Sequence, residues 1–181
     1  RAALLSIHPR VANLAPELVA KLSGEQGFRS AAVIAIRPRE AAGPLSIADR
    51  VSAAMTTSGG AAGGVAWQLP LDIPGLELNS AKLLDQWQRK TEGQLPQTLL
   101  GSLVRQIRVW RPQILIVEQP APEDAAAQLI YDAALKAVEQ ARDATRFVIQ
   151  RELGGLGPWK VERVYLQLLP GSAGELTIDP Y

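Results

Sequence analysis

Residues 2–9, AALLSIHP, and residues 30–36, SAAVIAI, frame the stretch whose reading decides the fold. Each is a short, continuous apolar run. Such runs fit strands buried on both faces of a sheet rather than half-exposed strands, which alternate. Between them Asn13 is placed to cap a helix reaching about Leu22, with Pro16 in the first turn, where proline is tolerated, and Ser23-Gly24 at the end. Strand, helix and strand within about 36 residues have the length of a βαβ crossover.

The pattern repeats outward from this unit. Ile47, Val51, Ala54 and Met55 share one helical face. Ser58–Gly64, SGGAAGG, reads as a flexible loop. Val65–Leu71 suits a strand near an edge or an end, because Pro70 cannot donate to a ladder. Lys82–Arg89 and Pro96–Trp110 read as helices, the second with Leu99, Leu100, Leu103, Ile107 and Trp110 at helical spacing. Arg111-Pro112 stops that helix, and Ile114–Val117 is another buried strand. Glu123–Val148 is the longest helical pattern, Gly154–Pro158 breaks it, Val161–Leu169 is a final strand, and Leu176–Ile178 adds a short piece. Alternating strands and helices predict an α/β fold: a single domain over residues 1–181, built as a Rossmann-like three-layer α/β/α sandwich with a mainly parallel sheet. In such sheets ligands sit beyond the carboxyl ends of the strands. That rule singles out His8, Pro9 and Arg10, then Arg37, Pro38, Arg39 and Glu40, then Glu118 to Asp124.

Composition sets bounds and names no chemistry. The sequence has 181 residues, 47% of them hydrophobic, enough for a substantial core. Nineteen Lys and Arg against 18 Asp and Glu give a net charge of +1, which argues against nucleic acid and against a polybasic membrane surface. No apolar run approaches the roughly 18 residues of a membrane span. The absence of cysteine removes disulfides, thiolate zinc sites and thiol nucleophiles. One histidine, His8, removes any multi-histidine metal cage. The sequence begins at Arg1 without an initiator Met, so it is expected to be part of a longer chain or the product of presequence removal, and it assigns no compartment.

At the strand ends the chain resembles the PIG-L/LmbE-like family of zinc-dependent N-acetylglucosaminyl deacetylases. That family follows its first strand with His-Pro-Asp-Asp-Glu and a helix often ending Leu-Ala-Lys-Leu. Here the strand leads into His8-Pro9-Arg10-Val11-Ala12 and then Leu18-Val19-Ala20-Lys21-Leu22. Arg111-Pro112, the strand Ile114–Val117 and the loop Ala121-Pro122-Glu123-Asp124 lie where the family has Arg-Pro, an apolar strand and His-Pro-Asp-His. Pro158-Trp159 and Arg163-Val164-Tyr165 match its late strand entry. The resemblance spans nearly the whole chain in framework and departs from it at the chemistry. It implies a zinc ligand at His8, a general base at the position of Arg10, a second ligand at Val11, a catalytic histidine at Ala121 and a third ligand at Asp124. Val11 has no donor atom, and Arg10 neither gives up its proton nor tolerates a nearby Zn²⁺. His8 and Asp124 remain as vestigial ligands.

The expectation is therefore a deacetylase-like domain without zinc-dependent deacetylase activity and without a required cofactor. It would keep a binding or scaffolding role toward a protein partner, a larger parent chain, or a sugar or anionic small molecule. The alternative is a hydrolase of N-acetylated sugar conjugates with a metal site, zinc or a harder cation, rebuilt from His8, Glu118 and Asp124. A third reading gathers Arg10, Arg37 and Arg39 around an anion. Gly59-Gly60 and Gly63-Gly64 lack phosphate-loop spacing, and no Gly-x-Ser-x-Gly elbow presents a serine to His8. Trp67, Trp87, Trp110 and Trp159 suit packing more than sugar stacking.

Overall fold

A computed structural model describes residues 2–36, 46–65 and 79–168. Five strands, β1 (Leu4–His8), β2 (Ser30–Ile34), β3 (Ala62–Val65), β4 (Ile114–Glu118) and β5 (Arg163–Gln167), form one parallel sheet in the order β3-β2-β1-β4-β5. The helices are α1 (Pro16–Val19), α2 (Ile47–Thr57), α3 (Ser80–Lys90), α4 (Leu95–Trp110), α5 (Ala125–Ala141) and α6 (Val148–Glu152). The fold is the expected Rossmann-like three-layer α/β sandwich. β1, β2 and most of β4 are buried along their whole length, which is why their sequences are continuously apolar.

Alternate residues of these strands enter different layers. Leu5, Ile7, Val33, Leu115 and Val117 pack with α3, α4 and α5, including the fully buried Trp87. On the opposite face Leu4 and Ile116 meet Leu22, Ala32 meets Val19 and Met55, and Ile34 meets Ile47 and Val51. Trp110 and Trp159 also pack against the larger core, and the Trp159 indole N–H donates to the Pro112 carbonyl at 2.7 Å. These three tryptophans serve packing, whereas Trp67 lies outside the described residues.

Three local expectations need correction. Asn13 does not cap the first helix. It ends a 3₁₀ turn over Val11–Asn13, Ala15 occupies the cap, and α1 passes directly into a π-helical stretch, Ala20–Glu25. The long helix expected to reach Val148 stops at Ala141, and α6 restarts after Phe147, which adopts a positive φ of 50°. The third strand begins at Ala62, so the second half of the glycine-rich stretch is a sheet edge rather than a flexible loop. Glycine is required there by close approach. A Cβ on Gly63 would lie 2.6 Å from Met55 Cγ and 3.0 Å from the Val51 carbonyl of α2. The mainly parallel sheet agrees with expectation, and all the pairings among the described strands are parallel. Residues 66–71 and 176–178 lie outside the described residues.

Candidate functional site

Chain order reverses between β1 and β4, which are neighbours in the sheet but distant in sequence. A crevice opens at such a switch point. The register sets Ile7 beside Val117, so the side chains of His8 and Glu118 close the two strands together. His8 is 2% exposed and Glu118 6%. His8 Nδ1 lies 3.4 Å from Glu118 Oε2, and Nε2 lies 3.1 Å from the Ser6 hydroxyl. Asn13 Nδ2 donates to Glu118 Oε1 at 2.7 Å, which is the use this residue finds in place of helix capping.

A carboxylate only accepts, so a neutral His8 ring that bonds Glu118 does so through an Nδ1 proton, with Nε2 then accepting from Ser6. The polarity matches a serine–histidine–acid relay. Access does not: Ser6 is buried within β1, and no sharp turn lifts its hydroxyl toward a substrate. The three groups satisfy one another in the interior, as buried polar groups must.

The second group lies just beyond. Arg10 extends from the end of β1 and forms a two-pronged ion pair with Asp124, its Nη1 on Oδ2 and its Nη2 at 3.2 Å from Oδ1. Arg10 Nη2 also donates to the Ser80 hydroxyl at 3.2 Å, and Ser80 in turn donates to Asp124 Oδ1 at 2.6 Å. Asp124 is the cap of α5, accepting from the Ala127 N–H at 3.0 Å, and its own N–H closes the preceding turn on the Ala121 carbonyl. Burial pushes the Asp124 carboxyl upward in pKa. The bonds from Arg10, Ser80 and Ala127, with the Arg10 charge, outweigh this and bring it to about 2.

Arg10, Asn79, Ser80, Ala81, Ala121, Glu123 and Asp124 line a cleft of about 540 Å³. It lies where the starts of α3 and α5 meet the end of β1, because Asn79 caps α3 as Asp124 caps α5. The structure thus brings Arg10, Ala121 and Asp124 to one cleft and pairs His8 with Glu118 behind it. It does not join His8, Glu118 and Asp124 into one ligand set. Among the described residues, no three His, Asp or Glu side chains are grouped to hold a metal ion. The donor set does not fit catalytic zinc, which needs about three protein ligands. Arg37 and Arg39 lie outside the described residues. Ser80 and Asn79 are functional candidates that sequence reading missed; their only signal was their position at a helix start.

The fold agrees with a solved structure, the conserved protein TT1542 from Thermus thermophilus, at a TM-score of 0.61 and 14% identity, over 96% of this chain and 69% of that one. No family model and no curated protein matches the sequence. No helix among the described residues is long and apolar enough to cross a membrane.

Proposed function

We propose that this chain is a PIG-L/LmbE-like domain that lacks zinc-dependent deacetylase activity and acts by binding or scaffolding at its switch-point cleft. The observation that carries the reading is the ion pair of Arg10 with Asp124. The resemblance implies a base and a metal ligand at these two positions. A guanidinium supplies a fixed positive charge to the Asp124 carboxylate, occupies the donors a cation would need, and cannot take a proton from water. Val11 and Ala121 add no donor or base. The cleft itself persists, with hydroxyl, amide and charged groups around an open space, and such a space suits a polar ligand or an inserted partner side chain.

The test is metal analysis of the purified protein after zinc incubation and removal of excess, together with an acetate-release assay on N-acetylglucosamine conjugates. The expected result is less than stoichiometric zinc and no acetate above the uncatalysed level. Stoichiometric zinc with acetate release would restore the hydrolase reading and overturn this one.

A further inference from the structure

Arg10 and Val11 are consecutive, yet they line different cavities. Val11 and Leu14, on the turn after β1, face Ile47, Arg50, Val51 and Ala54 of α2 across a second cavity of about 290 Å³. The spacing 47, 50, 51, 54 is one face of a helix. Ile47 and Val51 are buried against Ile34 and Val11, while Leu14 packs against Val19, Ala32 and Met55, so two core clusters form the walls. Ala54 leaves room where a larger residue would close the gap between helix and turn.

Of the six described residues that line it, five are apolar and the sixth is Arg50. Arg50 is exposed and has no ion pair among the described residues. Its neighbour Asp49 is already committed, accepting from the N–H and hydroxyl of Ser46 in the capping box of α2. An apolar slot whose described lining carries one unspent cation selects a ligand with an apolar body and a negative head. Phosphates and sugars need several convergent polar partners, and among the described residues this lining supplies only Arg50. A neutral hydrocarbon would leave Arg50 without a role. We propose that this cavity binds an aliphatic monocarboxylate, its alkyl chain between α2 and the turn and its carboxylate on Arg50. The volume is at the small end of the roughly 300–1,000 Å³ range of ligand sites, which favours a short or medium chain. The inference stands apart from the deacetylase-like reading, because no residue of the polar cleft takes part.

The experiment is calorimetric titration of the intact protein with octanoate and, separately, with 1-octanol. Octanoate is expected to saturate one site below its micellar range and to bind more tightly than the alcohol. Arg50→Gln, at an exposed position that leaves the fold intact, is expected to weaken octanoate roughly tenfold, the scale of one charge-assisted bond, and to leave 1-octanol unchanged. Ala54→Leu, which fills the slot, should weaken both. No saturable octanoate binding, or equal octanoate affinity in Arg50→Gln and the parent, would overturn the proposal.

Discussion

The two ends of α5 are each held by an arginine from elsewhere in the chain, and the two arginines do opposite things. At the carboxyl end Arg108 of α4 is 1% exposed. Its guanidinium donates to the carbonyls of Gln140, Ala141, Asp143, Arg146 and Phe147, at 2.8 to 3.4 Å. These are the last acceptors of α5 and those of the turn leading to α6, groups a helix end leaves without partners. At the amino end Arg10 is 23% exposed, meets a carboxylate, and borders the cleft. A cation spent wholly on backbone carbonyls builds the fold. A cation balanced by a carboxylate at an open edge can exchange that partner for another. Environment, not residue type, separates the arginine that serves the fold from the one that borders the cleft.

The largest expected effect lies at the structural end. Arg108→Met keeps much of the apolar volume and removes every donor to the five carbonyls. Unsatisfied buried acceptors cost about 1–3 kcal/mol each before relaxation, so a loss of roughly 3–5 kcal/mol is expected in urea unfolding. Arg108→Lys is expected to recover only a minor part, since an ammonium carries three donors and lacks the planar fork. Burial lowers the Arg108 pKa, with Asp143 opposing, yet the group stays charged across the working range. A loss under about 1 kcal/mol, the size of an ordinary surface change, would erase the contrast between the two ends.

Much of this architecture was legible in the sequence, and the missing parts share a cause. β1, β2 and β4 announced themselves because burial on both faces leaves no polar alternation to confuse. The positions of α2, α3 and α4 followed from periodicity within each segment. Arg108 gave no signal, because its partners lie 32 to 39 residues away and are backbone atoms, which no side-chain pattern records. The same holds for the end of α5: the apolar period continues toward Val148, but Arg108 gathers the carbonyls beyond Ala141 into a turn. Asn13 read as a cap because its local setting is right for one; Glu118, 105 positions on, takes its amide instead. At Gly63 composition suggested flexibility, while the true constraint was Met55 pressing on the strand. The cleft was located by the strand-end rule through Arg10 and Asp124, but their mutual pairing, and Ser80 between them, required the fold.

The amino end should respond less, and with a pH dependence. Asp124→Ala removes the cap of α5 and takes the carboxylate away from Arg10, for an expected loss of about 1–2 kcal/mol at pH 7. Asp124→Asn keeps an acceptor for the Ala127 N–H and removes only the charge. In the parent, the folded-state pKa of Asp124 is depressed to about 2 from an ordinary 3.8. Its contribution is therefore fully present above about pH 4 and disappears as pH falls through about 2, because the unfolded chain takes up the proton first. Thermal midpoints measured between about pH 2 and 5, the window in which the folded and unfolded carboxyls differ in protonation, should fall toward acid less steeply in Asp124→Asn than in the parent. Identical slopes would show that Arg10 and Ser80 do not hold the carboxylate ionised.

Arg10 carries the smallest expected effect on stability and the most telling one. Arg10→Gln should cost about 0.5–1 kcal/mol, the range for a partly exposed ion pair. A double-mutant cycle of Arg10→Gln with Asp124→Asn should return a coupling of about 1 kcal/mol, since each single change breaks the same pair. The comparison with Arg108 turns on that number. A coupling of about 3 kcal/mol or more, the top of the range for contacting residues, would make Arg10 a second structural staple, with the cleft a mere seam between α3 and α5. A small coupling leaves a charged pair that the fold scarcely needs, set at the strand ends where a parallel sheet presents its ligands. The reason for such a pair must then be sought in what enters the cleft, and a bound anion that competes with Asp124 for Arg10 would lower the measured coupling further.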